Sequence, residues 1–369
     1  MVEWKKLGEV CSFNRGRTIT AKDAVDGNIP VIAGGQTPSY CHNEANRNGE
    51  SITIAGSGAY AGFISYWNQP IFVSDAFTVD PTKILKHKYL FHWLKKNQER
   101  VYATQKGAGV PHVHGKDIAN FEIPIPSLSE QQRIVEQLDT FTSSIENLKE
   151  QIDQRRKQYE YYRDQLLDLE GKEGVEMKTL GDFGDVTKLA GFEFTEHVIY
   201  KEEGKIIALR GLNVRNGNLD LSQIKYIDGS NFEKLGRSKL LINDMLFTYV
   251  GTIGNVALIN EDDKYYLAPN VSRIRFDCNV IIPRFALYVF MSEYFHRTQI
   301  NKFLNSSSMK NLSMENIRKF KLPIPPLSEQ QRIVSILDTF EFSINNLEQQ
   351  LAQREKQYEY YRNKLLTFE

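Results

Sequence analysis

Residue groups with the types and spacing of a catalytic site are scarce in this sequence of 369 residues. It contains no phosphate-binding loop, no Gly-rich dinucleotide fingerprint and no His-Glu-x-x-His zinc motif. His112 and His114 could place two metal ligands on one strand face, but no carboxylate or cysteine nearby completes a site, and a polar loop pair is the better interpretation. Residues 3–5 and 262–264 have the acid-x-Lys form of a nuclease motif. Such triplets arise freely when 25% of residues are charged, and the second is predicted to form a hairpin turn, so neither indicates a nuclease.

Loop residues that suit DNA are more frequent than catalytic ones. Arg and Lys suit phosphate or guanine, Asn and Gln suit adenine, and Gly allows close backbone approach. A single loop of this kind is more often plain solvated surface, so each signal is weak by itself. The predicted DNA-contacting residues are Arg15, Arg17, Thr18, Gln36, Ser39, Tyr40, Ser57, Gln105, Lys106, His112, Arg210, Asn213, Arg215, Asn216, Tyr249, Thr252, Ser307, Lys310 and Asn311.

The composition is that of an ordinary globular chain. Hydrophobic residues at 41% and charged residues at 25% are near average, and the length suffices for two or three domains. Cys11, Cys41 and Cys278 are odd in number and far apart, which argues against a disulfide framework or a structural zinc site, and we expect them to be buried. Neither an apolar run of about 18 residues nor a signal-peptide pattern occurs, so we expect a cytoplasmic protein that does not enter a membrane.

The charge distribution permits DNA binding without requiring it. The 46 Lys and Arg residues balance 46 Asp and Glu residues, so the formal net charge is zero. By segment, the net charge is +3 for residues 1–127, −4 for 128–174, +3 for 175–326 and −2 for 327–369. These basic excesses are small compared with those of autonomous nucleic-acid-binding domains.

An internal repeat determines the predicted architecture. Residues 123–141 recur with few changes as residues 322–340, an offset of 199, and the register continues without a gap to Arg163 and Arg362. A weaker echo links residues 2–8 with 175–181. The chain is therefore predicted to contain two copies of one unit, each a variable block followed by a nearly invariant one, related by a pseudo-two-fold axis.

Each nearly invariant block, 128–174 and 327–369, is predicted to form one long helix. Ser129 and Ser328 are the N-cap candidates, with a capping-box glutamine three residues later. Apolar residues then recur at alternating spacings of four and three, the pattern of a coiled coil over about five heptads. The predicted helix-pairing residues are Ile134, Leu138, Phe141, Ile145, Leu148, Ile152, Ile333, Leu337, Phe340, Ile344, Leu347 and Leu351.

The two long helices are expected to pair as an antiparallel coiled coil. A two-fold relation between the copies requires this direction and would place one variable block at each end of a dumbbell. Arg155 and Arg354 interrupt the seam at equivalent places, where a polar group would fix the register at some cost in stability. Residues 171–174 are the expected hinge. The alternative is that each helix only packs on its own variable block, which accounts less well for so strict a spacing.

The variable blocks, residues 1–127 and 175–326, are predicted to be α+β domains. Short apolar runs between turn residues predict strands, and a helix follows the strands in each block. Because the blocks share this outline and little sequence, we expect similar but non-identical targets. The predicted strands cover 29–35, 51–56, 62–67, 72–79, 205–210, 245–250, 255–259 and 271–276, and the predicted helices cover 88–96 and 283–291.

The motif Pro-x-Pro-x-Leu-Ser-Glu-Gln-Gln-Arg-Ile-Val begins at Pro124 and again at Pro323. With this doubled, highly specific motif the chain resembles, over its whole length, the specificity (S) subunits of type I restriction-modification systems. The resemblance implies two target-recognition domains, each reading one half of a bipartite, asymmetric site in double-stranded DNA. The paired helices would set the unspecified spacer and dock two methyltransferase subunits, and restriction subunits would join that core.

The resemblance also implies a non-catalytic chain without a cofactor of its own. In such systems S-adenosylmethionine and the adenine-methylating motif belong to the methyltransferase subunit, and no Asn-Pro-Pro-Tyr or Asn-Pro-Pro-Phe sequence occurs here. The family's strand-loop patterns match residues 209–216 and 244–254, and the loops 106–112 and 306–311 are expected beside DNA. The first block follows a different variant of the domain at residues 34–35 and 56–62.

Two other interpretations stay open. A non-enzymatic coiled-coil scaffold that binds proteins through its two end domains explains the helices equally well. It does not explain why the blocks diverge while the helices stay nearly identical, whereas independent reading of two half-sites does. A stand-alone DNA-modifying enzyme is the third interpretation, and methyl transfer by the purified chain would support it.

Overall fold

The computed structural model describes residues 2–107, 109–189, 191–304 and 311–368. The chain divides into two compact units. Unit 1 contains residues 1–151 and 347–369, and unit 2 contains residues 152–346. Each unit therefore combines one variable block with half of each long helix.

Unit 1 is built around a four-stranded antiparallel sheet, called sheet 1 here. Its order is Cys11–Arg15, Ala76–Pro81, Glu50–Ala55 and Ile64–Asn68. The inner strand Glu50–Ala55 is buried at five of its six positions because other elements cover both of its faces. The other strands of unit 1 are Glu3–Lys6 paired with Glu122–Ile125, and a sheet of Tyr40–His42, Ile29–Ile32 and Phe72–Val73. Apart from the two long helices, unit 1 contains the short helices Leu7–Val10, Gln98–Tyr102 and Gly115–Ile118 and the longer helix His87–Lys96, called block helix 1.

Unit 2 repeats this plan. Sheet 2 is antiparallel in the order Gly184–Lys188, Val271–Phe276, Met245–Thr248 and Val256–Leu258. The paired strands beside it are Glu176–Thr179 with Lys321–Ile324, Ile207–Leu209 with Tyr265–Leu267, and Val214–Arg215 with Asn218–Leu219. Block helix 2 is Pro283–Met291, and the shorter helices are Leu180–Phe183, Gly191–His197, Gly211–Asn213, Gly236–Ser238, Glu293–Phe295, His296–Ile300, Asn301–Leu304 and Met314–Arg318.

The common strand order of the two sheets confirms the internal repeat. In both sheets, the strand that comes first in the sequence pairs with the one that comes last, and the two strands between them in the sequence complete the sheet. In both, a strand at the start of the block pairs antiparallel with the strand before the long helix: Glu3 lies opposite Ile125, and Glu176 lies opposite Ile324. This pairing explains the weak echo between residues 2–8 and 175–181.

Long helix 1, Leu128–Leu167, and long helix 2, Leu327–Leu365, pair antiparallel within each unit. In unit 1 the Phe141 ring stacks on Tyr361 at 5.1 Å, and in unit 2 Tyr162 stacks on Phe340 at 5.4 Å. The repeat offset of 199 makes Phe141 equivalent to Phe340 and Tyr162 equivalent to Tyr361. The two stacked pairs are therefore the same contact, made once in each unit. The predicted antiparallel coiled coil is therefore confirmed.

The first seam residues also pack on their own block. Ile134 and Leu138 are completely buried in the core of unit 1 with Trp93 and Leu94 of block helix 1. Ile333 and Leu337 occupy the same place in the core of unit 2. Helix pairing and packing on the block, which the sequence presented as alternatives, thus both occur.

Several local predictions were wrong. Ser129 and Ser328 lie inside the helices, because Ser127 caps long helix 1 through a bond from the Glu130 N–H, and the carbonyl of Pro326 takes this role in long helix 2. The predicted strand 72–79 is two strands, Phe72–Val73 and Ala76–Pro81.

The predicted hairpin at 262–264 was also wrong. Tyr265–Leu267 pairs in parallel with Ile207–Leu209 rather than with the strand before the turn. Of the three cysteines only Cys11 is buried, whereas Cys41 and Cys278 are exposed. The other predicted strands and both block helices are confirmed within one to three residues at each end.

Candidate nucleic-acid interface

A cavity of about 380 Å³, called cavity 1, opens at one end of sheet 1, where its strands begin or end. It lies where the strand Glu50–Ala55 ends and the strand Ala76–Pro81 begins. Two predicted DNA-contacting residues line it, Arg15 at the end of its strand and His112. His114 and Lys116 also line it and were not predicted. The cavity thus gathers four side chains that can carry positive charge or donate hydrogen bonds.

The loop that carries His112 is held by its own hydrogen bonds. His112 and Lys106 exchange two backbone bonds of 2.8 and 2.9 Å, and the His112 ring stacks on His114 with centres 6.3 Å apart. Lys106 donates to Asp117 at 2.7 Å, and this bond lowers the pKa of Asp117. The loop therefore presents its histidines in a fixed geometry.

Two further predicted residues of unit 1 serve neighbouring loops. Gln105 donates its amide to the carbonyl of Ala61 at 2.7 Å. Ser57 donates its hydroxyl to Asp75, which lines cavity 1. We expect these side chains to shape the loops more than to contact a ligand.

The remaining predicted residues of unit 1 do not line cavity 1. Tyr40 donates its hydroxyl to the carbonyl of Ile19 at 2.6 Å, and Arg17 lies over the Phe72 ring at 5.1 Å and beside Glu44. They surround the three-stranded sheet, together with Thr18, Gln36 and Ser39, whose side chains are exposed.

A larger cavity of about 740 Å³, called cavity 2, opens at the equivalent end of sheet 2. It lies where the strand Met245–Thr248 ends and the strand Val271–Phe276 begins. Four predicted residues line it: Arg210, Arg215, Asn216 and Thr252. Sequence reasoning missed four others, Phe194, Tyr200, Asn255 and Asn270, because only the strand order brings their segments together.

Three asparagines give cavity 2 free amide groups. The side chains of Asn216, Asn255 and Asn270 make no hydrogen bond to any other described residue. Asn216 and Asn270 have φ values of 47° and 70°, a left-handed conformation that asparagine tolerates better than most residues. Each free amide offers a donor and an acceptor, the pair of groups that recognises adenine.

Arg210 lines cavity 2, and Asn213, which does not line it, holds the loop that carries Arg210. Asn213 is completely buried, accepts from the Arg210 N–H at 3.1 Å and donates to the carbonyls of Asp220 and Gln223. Arg210 also donates to the Gln223 carbonyl at 2.8 Å, and its buried Nε has no hydrogen-bond partner among the described residues. We therefore expect Asn213 to shape the loop rather than to contact a ligand.

Arg215 is the most accessible basic group of cavity 2. Its side chain is 66% exposed, with Asp220 at 3.6 Å. Phe194 and Tyr200, which also line the cavity, meet edge to face at 5.5 Å, and burial raises the pKa of Tyr200. The cavity thus combines cationic, amide and aromatic groups.

The last predicted residues of unit 2 lie beside cavity 2 or beyond the described residues. Tyr249 lies under the Lys188 ammonium at 5.7 Å and accepts from the Leu312 N–H through its carbonyl. Asn311 is exposed and pairs with Val250. Ser307 and Lys310 fall in 305–310, outside the described residues.

Within residues 2–107, 109–189, 191–304 and 311–368, no group of three or more His, Cys, Asp or Glu residues could hold a metal ion, and no helix is long and apolar enough to cross a membrane.

Comparisons with known sequences identify similar proteins. A model of the family described as the type I restriction modification DNA specificity domain matches residues 1–155 and 172–355. The chain is 27% identical over 395 residues to a putative type I restriction enzyme specificity subunit of Haemophilus influenzae, covering 100% of this chain and 96% of that protein. It is 27% identical over 408 residues to the specificity subunit of an Escherichia coli type I restriction enzyme, covering 100% and 94%.

Solved structures share the fold. The S subunit of a type I restriction-modification system from M. genitalium aligns with a TM-score of 0.68 at 17% identity, covering 100% of this chain and 97% of that one. A chain from a structure on assembly and conformational transition of the type I R-M system aligns with a TM-score of 0.58 at 17% identity, covering 99% and 97%.

Proposed function

Because the chain belongs to the type I restriction modification DNA specificity family and its role is DNA sequence recognition, we propose that each of its two units reads one half of a bipartite, asymmetric DNA site. The observation that carries this proposal is the pair of cavities. They lie at equivalent ends of the two equivalent sheets and are lined by different polar groups.

The chemistry of the cavities supports two different half-sites. Cavity 1 offers an arginine, a lysine and two histidines, whereas cavity 2 offers two arginines and three free asparagine amides. Arginine pairs with guanine or phosphate, and asparagine pairs with adenine in the major groove. Identical units would read a symmetric site, so the divergence of these linings accounts for an asymmetric one.

The surface of the long helices supports a partner that binds twice. Tyr161 and Tyr360 are equivalent under the repeat and are 59% and 60% exposed. Lys157 and Lys356 are likewise identical and exposed. The contacts of Tyr161, Tyr360 and Lys157 are with neighbours on their own helix, such as Tyr162, Tyr361 and Asp153. Packing between the helices therefore does not require these side chains, and their retention in both copies favours one partner at each site. We assign this role to two methyltransferase subunits, which would carry S-adenosylmethionine and methylate adenine; restriction subunits would join the complex.

The spacer between the half-sites follows from the same helices. We propose that the long helices, which pair antiparallel within each unit and join the two recognition blocks along the chain, set the number of unspecified base pairs between the half-sites.

Methylation mapping tests the proposal directly. The chain is co-expressed with its candidate methyltransferase subunit, and methylated adenines are mapped across the host genome by single-molecule sequencing. A bipartite motif with a fixed gap is the expected result and supplies both half-sites. Absence of both methylation and a co-purifying complex would instead favour the protein-binding scaffold.

A further inference from the structure

A buried glutamine ties long helix 1 to its recognition block. Gln131 is completely buried, and its Nε2 donates to the carbonyls of Ile84 and Pro126, each at 2.9 Å. Its Oε1 accepts from the N–H of Lys86 at 2.9 Å. Lys86 is the N-cap residue of block helix 1, which has no side-chain cap of its own. One amide thus joins the approach to the block helix, the proline segment and the long helix.

The second unit contains the same arrangement. Gln330, 199 residues later, is also completely buried and donates to the carbonyls of Val280 and Pro325 at 3.0 and 2.9 Å. It accepts from the N–H of Ile282, the N-cap residue of block helix 2, at 2.8 Å. All six bonds go to backbone groups. The block residues at these positions can therefore differ, as they do, without loss of the bonds.

A carboxylate two helical turns further along makes a second attachment. Asp139 accepts from Lys88 at 2.5 Å and lies 3.1 Å from the Nε2 of His92, both on block helix 1. Its equivalent, Asp338, accepts from Arg284 at 2.9 Å and from the Tyr288 hydroxyl at 2.5 Å, both on block helix 2. The donor residues change between the units, but in each unit they lie one turn apart on the block helix.

Two polar attachments restrict the block helix more than the apolar contacts between them do. Ile134 and Leu138 lie between the two attachments and would tolerate small rotations of the block helix, because apolar contact is not directional. Hydrogen bonds have directional geometry, and a buried amide that loses its partners is costly. The pair of attachments therefore fixes the angle between each block and its long helix.

We propose that Gln131 and Gln330 are positioning residues that restrict the complex to a single number of base pairs between the two half-sites. This inference rests on the proposed function, since it assumes that the blocks read half-sites and that the helices set their spacing. A block that can rotate on its helix would reach neighbouring gap lengths. The bases that it reads would stay the same, because neither glutamine lines a cavity.

The test uses Gln131→Met in the full chain, co-expressed with the methyltransferase subunit. Methionine retains the volume but removes all three hydrogen bonds. Duplexes with the native gap n and with n−1 and n+1 base pairs are methylated with labelled S-adenosylmethionine. We expect the preference for n over its neighbours to fall about tenfold, while base preferences in both half-sites stay unchanged.

A matched control is available in the next residue. Gln132 is partly exposed and bonds only to Glu136, so Gln132→Met should leave the gap preference unaltered. If the wild-type complex methylates only one gap length and Gln131→Met keeps the same preference, the inference is refuted. A change of the preferred bases in either half-site would also refute it. A wild-type complex without any fixed gap would instead overturn the proposed function.

Circular dichroism and co-purification with the methyltransferase subunit show whether Gln131→Met folds. If it does not fold, a second variant is used. Gln330→Met then gives the same test in unit 2, with Gln331→Met as its control. If that variant also fails, Asp139→Asn retains the shape of the side chain and weakens only the bonds to Lys88 and His92. The same loss of gap preference is expected, and retention of the native preference in the folded variant counts against the positioning role.

Discussion

The guanidinium carbon of Arg354 on long helix 2 lies 5.8 Å from the centre of the Phe141 ring on long helix 1. In unit 2 the equivalent Arg155 lies 5.9 Å from the ring of Phe340. The arginines that interrupt the apolar seam thus lie on the aromatic residues of the opposite helix. A slip in register would move each cation off its ring, so the interruption specifies the pairing and recovers part of its cost as a cation–π interaction.

Arg354→Ala should reduce the free energy of unfolding by about 1 kcal/mol, because the cation–π contact and the packing of the side-chain stem are both lost. Chemical denaturation of the full chain measures the loss. In a double-mutant cycle with Phe141→Leu the two effects should fall short of additivity by about 0.5 to 1 kcal/mol. Lys356→Ala, at an exposed position of the same helix, serves as the control. Full additivity would show that the contact contributes nothing.

Unit 1 should lose stability as the pH falls below about 6.5 because of His92. The side chain is 1% exposed, and burial lowers its pKa despite the hydrogen bond to Asp139. Lys88 and Arg362 face the ring and lower the pKa further. The unfolded chain therefore takes up a proton that the folded chain resists, and stability falls over the window from 6.5 down to the folded pKa.

Asp139 adds to the same trend at lower pH. Burial acts to raise its pKa, but the hydrogen bonds from His92 and Lys88 outweigh burial and lower it. Its contribution is present above the usual value of 3.8 and is lost as the pH falls through the folded pKa.

Thermal melts between about pH 7 and pH 5 test the role of His92. His92→Gln can still bond to Asp139 and Tyr358 but does not titrate, so its melting temperature should fall less on acidification than that of the wild type. His112→Gln, at an exposed histidine of the same unit, should follow the wild type. Equal slopes for all three proteins would remove His92 as the cause.

The long helices were predictable because their signal is local and repeated, whereas Gln131 was not. Its hydrogen-bond partners Ile84 and Lys86 lie 47 and 45 residues upstream, and nothing in the sequence distinguishes it from Gln132. The capping prediction failed for a related reason. Ser127 and Ser129 are equally good cap residues, and only the conformation of the proline segment selects Ser127.

The cavities show the same limit. Arg210 and Arg215 were found from the composition of one loop. Asn255 and Asn270 stand at the ends of other strands and reach the cavity only through the order of sheet 2. Residue type was therefore only a partial guide within a loop, since it also selected the buried Asn213. The strand order of the sheet decides which residues meet at the cavity.

Asn255→Ala should relax base preference at one position of one half-site. The side chain lines cavity 2 without a hydrogen bond to any described residue, and its backbone bonds to Thr248 stay in the variant. Loss of one amide-to-base pair weakens discrimination by about 1 to 3 kcal/mol, which is roughly 5- to 150-fold. Methylation of a duplex library by the complex measures the change.

Asn260→Ala is the control for this variant, since Asn260 is exposed and lies outside the lining of cavity 2. The half-site read by unit 1 should be unaffected in both variants. A change in both half-sites, or in neither, would contradict the assignment of one half-site to cavity 2.

The isolated chain should bind DNA weakly. With a net charge of +3 on each recognition block, few phosphates are neutralised by this chain alone. We expect dissociation constants of about 1 μM or weaker at physiological salt, close to non-specific binding, and much tighter binding by the complex with methyltransferase subunits. Fluorescence anisotropy across a salt series measures both. Nanomolar, sequence-specific binding by the isolated chain is the outcome that excludes this view.

Lengthening both long helices by one heptad should lengthen the DNA spacer without changing the half-sites. An insertion after Gln151 and another after Gln350 keeps the antiparallel partners matched, because these positions lie midway between the Phe141–Tyr361 pair and the Tyr162–Phe340 pair on each helix. Seven residues add about 10 Å of helix. DNA rises about 3.4 Å per base pair, so the gap should grow by about three base pairs. A two-residue insertion is the control: at about 100° per residue it rotates the following apolar residues by about 200°, to the opposite helix face, and should weaken pairing rather than reset the gap. New half-site bases with the old gap would show that the helices do not set the spacing.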